Sequence, residues 1–112
     1  MAAPAIDPVA FAELQASAGA DFVRELIDTF LEEAPPMLAE IGETLAAARA
    51  EPFRRAAHSL KSNASTFGAA TLAAMARELE LRGFEAATPD ALAALAQQYE
   101  AAAAELKALR DG

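Results

Sequence analysis

The sequence of 112 residues contains no cysteine and no tryptophan. No disulfide can form, no thiolate can hold a metal, and the single histidine, His58, cannot build a zinc site by itself. Sites made of carboxylates alone stay open, with no spacing to support one. Glycine and proline are few, at 5 and 6, and β-branched side chains are sparse beside abundant alanine, so the composition favours helix throughout and an all-α fold. Basic residues are in deficit: 9 Lys and Arg face 17 Asp and Glu, for a net charge of −8. That balance argues against nucleic acid and anionic membranes as partners, because both demand a basic face. No apolar run approaches the length of a membrane span, and the segment from Met1 to Asp7 lacks the charged and apolar regions of a signal peptide. A cytoplasmic location is expected. No glycine-rich loop of the kind that cradles ATP is present, which argues against a self-sufficient kinase.

At this length the chain is expected to form one domain over residues 1–112, burying about two-thirds of its unfolded surface. Asp7 followed by Pro8 is a helix start, and Val9 or Ala10 with Phe11 and Leu14 gives the short helix an apolar side as far as Gly19. It reads as a lid over one end of a bundle. From Asp21, the residues Val23, Ile27, Phe30, Ala34, Met37, Ile41, Leu45 and Ala48 recur every three or four positions and keep phase through Pro35 and Pro36. One long helix with a kink fits this pattern, and the alternative of two helices lacks loop residues to turn the chain. Pro52, with Glu51 at the cap, starts a third helix to about Phe67, which Gly68 ends. A fourth follows from about Ala70 to Arg82, with Leu72, Met75, Ala76 and Leu79 inward and Gly83 as its stop. Thr88, Pro89 and Asp90 open a fifth, whose stripe of Leu92, Leu95, Tyr99, Ala102, Leu106 and Leu109 closes an antiparallel four-helix bundle with the short first helix as an extra. Phe84 and Tyr99 are assigned to the core.

The third helix stands out from this alanine-rich background. Phe53, Ala57, Leu60, Ala64 and Phe67 fall on one inward stripe at roughly 100° per residue. Measured from its centre, Lys61 lies at about 80°, Ser65 at about 120°, His58 at about 140° and Ser62 at about 180°. His58 therefore faces water. A lone histidine on a polar helix face is most often just solvated. Here, however, Lys61 lies one turn on, Arg54 and Arg55 one turn back, and small residues surround the ring. A neutral imidazole nitrogen is a competent nucleophile near pH 7, and a neighbouring ammonium can neutralise phosphoryl oxygens. Arg49, Arg54, Arg55 and Lys61 also form a local basic patch on an acidic chain. The patch would steer an acidic partner, or it is a plain helix-surface effect.

The run His58-Ser59-Leu60-Lys61-Ser62-Asn63-Ala64, followed by Phe67-Gly68-Ala69 and later by Leu79-Glu80, resembles the signature of histidine-containing phosphotransfer (HPt) domains of multistep phosphorelays. The likeness extends from about Asp7 to Leu109. It implies that His58 accepts a phosphoryl group from an aspartyl phosphate on one receiver domain and passes it to another, with Lys61 on the phosphoryl oxygens. It further implies partners among the receivers of response regulators and hybrid histidine kinases, each bringing its own aspartate and Mg²⁺, so no cofactor is assigned to this chain. A monomer suffices for that role. Ser62 stands where the family usually has glycine, a small change expected to leave receiver docking possible with altered partner preference.

The turn at Gly68 brings in one further residue. His58 and Glu80 lie ten residues before and twelve after it, which at about 1.5 Å per residue places them at nearly the same height on an antiparallel pair. Glu80, at about 80° from its own stripe, falls on the same side of the seam. Its carboxylate can hold one ring NH of His58 and leave the other nitrogen free to attack, or it simply pairs with Lys61 or Arg77. Arg54, Arg55, Ser62, Ser65 and Arg77 are the expected partner-contacting residues. A different class of function also fits these residues: a helical module that binds receivers or other helical partners sterically, with no phosphoryl role. The chain reads equally as a free-standing protein or as a domain of a hybrid kinase.

Overall fold

The computed structural model describes residues 4–112. Among them the chain forms helices α1 (Pro8–Ala18), α2 (Ala20–Ala46), α3 (Ala50–Thr66), α4 (Ala70–Arg82) and α5 (Pro89–Asp111), with a 3-10 turn over Gly83–Ala86 between the last two. Helix α3 packs against α2 on one side and α4 on the other, and α5 closes the ring by packing on both α4 and α2. The result is the expected four-helix bundle with α1 as an extra element. Both proline-led starts hold: the Asp7 carboxylate accepts the Val9 N–H at 2.9 Å, and the Thr88 hydroxyl accepts the Ala91 N–H at 3.0 Å.

Helix α2 runs unbroken through Pro35 and Pro36. Both prolines are exposed, on the side where water can meet the Leu31 and Glu32 carbonyls that lose their donors. Inward, Val23, Ile27, Phe30, Ala34 and Ile41 are buried, with Met37 and Leu45 packed beside them. The Phe30 ring lies 5.4 Å from that of Phe67 and 5.8 Å from that of Tyr99, tying α2 to the α3 terminus and to α5.

The N-terminal segment covers the turn between α3 and α4. The Asp7 N–H donates to the Gly68 carbonyl at 2.9 Å, and Glu105 of α5 accepts the N–H groups of Ala5 and Ile6 at 2.7 and 2.9 Å. Gly68 has φ +76°, and a Cβ added there would stand 2.7 Å from the Ala10 Cβ. Glycine is required twice over, by backbone conformation and by space. The lid is thus the strap of residues 4–7 together with α1.

Five expectations need correction. Ala48 does not continue the α2 stripe: the helix ends at Ala46, and Ala48 turns the chain at φ 55°, exposed, while the Arg49 N–H reaches back to the Thr44 carbonyl at 2.8 Å. Helix α3 starts at Ala50 with Arg49 as its cap, so Pro52 sits third and Glu51, instead of capping, binds the Arg54 side chain. Of the two residues offered beside Phe11 on α1, Val9 is 66% exposed, so it is Ala10, half-buried like Leu14, that joins the buried Phe11. Leu109 is 42% exposed on the wall of an open groove that it shares with Pro4, Pro8 and Phe11, while its neighbour Arg110 reaches Asp28 of α2. Phe84 is 36% exposed in the 3-10 turn, with its ring set edge-on against buried Phe53 at 5.1 Å.

Candidate functional site

Helix α3 carries His58 on its outward side because Phe53, Ala57, Leu60 and Ala64 occupy the buried stripe. The Gly68 turn then folds α4 back antiparallel, and Glu80 arrives beside the imidazole across a gap of 22 residues in sequence. The ring nitrogen Nδ1 of His58 lies 2.7 Å from Glu80 Oε2, and the Lys61 ammonium lies 2.7 Å from Glu80 Oε1. One carboxylate therefore links both cationic or donor groups. Its side chain is only 12% exposed, whereas that of Lys61 is 27% and that of His58 is 52% exposed.

The chemistry of this triad follows from donor and acceptor roles. The Lys61 ammonium beside Glu80 holds its carboxyl below the usual carboxylate range, against the opposing effect of desolvation and with further help from the His58 hydrogen bond. An ionised carboxylate only accepts, so Nδ1 of His58 is the donor, and in the neutral ring that tautomer leaves the Nε2 lone pair free. The Lys61 ammonium, 2.7 Å from Oε1, pairs with that oxygen by charge.

The other expected residues lie around this centre with different degrees of freedom. Arg54, one turn before His58, is exposed and engaged with Glu51, with Nη2 to Oε1 at 2.6 Å and Nε to the same oxygen at 3.1 Å. Exposed pairs of this kind are screened by water and weakly held, so Arg54 can be recruited elsewhere. Arg55 and Arg77 are exposed and take part in no ion pair among the described residues. Glu80 thus pairs with His58 and Lys61 together, and not with Arg77. Ser62 and Ser65 are exposed on the C-terminal half of α3. Sequence reasoning passes over Leu81, which is 63% exposed next to Glu80. The available signal was its position: an apolar side chain opposite the inward stripe of α4.

The family model for the Hpt domain matches residues 25–105 of this chain. The chain belongs to the Hpt domain family. Hpt domains are the histidine-containing phosphotransfer domains of phosphorelays, and phosphoryl transfer through a histidine is the function that membership gives this chain. Among solved structures, the Hpt fold here is similar to the crystal structure of histidine-containing phosphotransfer protein B (HptB) from Pseudomonas aeruginosa PAO1. The two share 29% sequence identity with a TM-score of 0.86, over 98% of this chain and 97% of that one. No curated protein sequence matches it significantly. No helix of this Hpt protein is long and apolar enough, among the described residues, to cross a membrane.

Proposed function

We propose that His58 is the residue of this Hpt domain that carries the phosphoryl group between receiver domains. The observation that carries this reading is the triad: a half-exposed imidazole whose Nδ1 is committed to Glu80 while Lys61 waits on the other carboxylate oxygen. In the transfer step, Nε2 of the neutral ring attacks the phosphorus of a receiver's aspartyl phosphate. The N–P bond forms as the P–O bond to the aspartate breaks, and the bonding pair leaves with the aspartate carboxylate. The product ring holds the phosphoryl group on Nε2 and the original proton on Nδ1, so it is a cation, and the Glu80 carboxylate lies in place to balance it. Lys61 moves from Glu80 to the phosphoryl oxygens. Reversal onto a second receiver's aspartate completes the relay.

The whole chain acts as one such domain, a cytoplasmic monomer with no kinase activity of its own and no nucleic-acid partner. The partners are receivers of response regulators or hybrid histidine kinases, which bring their own aspartate and Mg²⁺, so this chain needs no cofactor. Arg54, Arg55, Ser62, Ser65 and Arg77 meet the receiver around His58. The deciding experiment mixes the protein with labelled, phosphorylated receiver domains of the same organism. Wild type takes up label within seconds and His58→Gln takes up none. Equal labelling of the variant refutes the assignment, and firm receiver binding with no transfer by wild type would leave a purely steric interaction module.

A further inference from the structure

Five large hydrophobic side chains are exposed among the described residues: Val9, Phe22, Leu81, Phe84 and Leu109. Leu81 and Phe84 flank a single groove of about 250 Å³ between the start of α3 and the end of α4, whose other walls include Arg54, Glu80 and Arg82. Glu80 and Arg54 belong also to the surroundings of His58, so groove and relay site are continuous. Neither apolar residue is a frayed part of the core. Leu81 lies at about 170° from the stripe of Leu72, Ala76 and Leu79, directly outward by helical geometry. Phe84 is held in place by the buried Phe53 ring at 5.1 Å and by the turn that Gly83 makes at φ +65°. A fixed apolar pair bordered by arginines has the make-up of an interface core with a basic rim.

We infer that this groove is a docking lip for the receiver that exchanges phosphoryl with His58, taking an aliphatic side chain of the partner between Leu81 and Phe84. The inference rests on the assignment of His58 above. A transient protein contact covers up to about 600 Å² on each partner, a disc up to about 14 Å in radius. A receiver that brings its aspartyl phosphate to within about 3–3.5 Å of Nε2 is centred on His58. Glu80 is in contact with that ring and Leu81 is the next residue, so the groove falls inside the disc. The partner is also anionic at its reacting aspartate, and Arg54 and Arg82 line the groove on this otherwise acidic protein. Arg82 reaches Glu78 and Glu85 only at 3.4 and 4.0 Å, and Arg54 holds an exposed partner, so both are available to a new one. The lip therefore adds receiver selectivity beside the chemistry, on the flank of His58 opposite to Ser62 and Ser65 along α3.

The test uses the full chain and a purified receiver that exchanges phosphoryl with it. Leu81→Ser removes the more exposed residue without touching the core, and Leu109→Ser makes the same change near the end of α5, beside Pro4 and Phe11 and outside the groove. The second-order rate constant of transfer from the labelled receiver should fall about tenfold in Leu81→Ser, the loss of about 1.4 kcal/mol of binding. Leu109→Ser should match wild type, and Phe84→Ala should fall in parallel with Leu81→Ser. Direct phosphorylation of His58 by phosphoramidate, which needs no docking, should be unchanged in every variant. A wild-type rate in Leu81→Ser, or an equal fall in Leu109→Ser, overturns the docking lip and leaves the His58 assignment standing. Self-association abolished by Leu81→Ser with transfer intact also overturns it, in favour of a second copy of the chain. Failure of wild type itself to accept phosphoryl from either donor refutes the His58 assignment and the lip with it.

Discussion

The two ends of the α3–α4 hairpin are held by different forces. At the Gly68 turn the chain is locked by shape: a left-handed backbone, a carbonyl bound by the Asp7 N–H, and no space for a Cβ against Ala10. At the level of His58 the same two helices are bridged on their outer side by charge, through one carboxylate shared by an imidazole and an ammonium. The turn folds α4 back on α3, and packing along the two helices sets the register that puts Glu80 opposite His58. The bridge consists of charge contacts at a partly exposed surface, which water and other ions can reach. A relay site needs both properties, accurate placement and exchangeable partners.

The largest effect should come from cutting the bridge. Glu80→Ala removes a charge-assisted hydrogen bond of about 1.5–3 kcal/mol, so transfer to His58 should slow by roughly 10–100-fold. Glu80→Gln, which keeps an acceptor of the same shape, should lose less. Rapid-quench measurement of labelled protein decides this, and an unchanged rate in Glu80→Ala would show that the carboxylate does not hold the ring.

Gly68→Ala attacks the other end. A left-handed non-glycine residue plus the contact with Ala10 should lower stability by about 1–3 kcal/mol in urea unfolding. Transfer per folded molecule should fall less than in Glu80→Ala. A larger fall would mean that the turn governs the height of Glu80 more directly than packing along the helices does. The strap over the turn is the weaker part of the lock: Glu105→Gln keeps one acceptor for two N–H groups and should cost about 1 kcal/mol, with faster hydrogen exchange at Ala5 and Ile6.

Acid titration sharpens the contrast with a smaller effect. The folded-state pKa of Glu80 is depressed, so its contribution is fully present above its ordinary value of about 4.5 and is lost as pH falls through the lower folded value. Wild type should therefore lose more stability than Glu80→Gln on acidification below pH 4.5, by comparison of melting temperatures, while the two run parallel above it. The smallest change is Ser62→Gly, at an exposed helical position: about 0.5 kcal/mol less stable, with no loss of transfer to a fixed receiver.

Much of this was legible in the residues. Proline at the first turn and a capping Asp or Thr set the starts of α1 and α5, since both signals act within four residues. The limits of α4, Ala70 to Arg82, fall where Gly68 and Gly83 put them. Where the reading went astray, a competing local interaction or the reach of the bundle decided. Glu51 found Arg54 in place of a cap, and Ala48 took a left-handed turn that alanine seldom makes. The exposure of Phe84 and Leu109 depended on which neighbours come close enough to cover them, which periodicity does not record.

The sequence by itself determined the helices, their inward faces and the outward direction of His58, because these follow from the spacing of apolar side chains along one strand of chain. Whether Glu80 held the ring or the ammonium was a question of distance between two helices. The tertiary structure answered it with both at 2.7 Å. The same holds for Leu81 and Phe84, whose convergence on one groove arises only after α4 and its 3-10 turn have been packed against the start of α3.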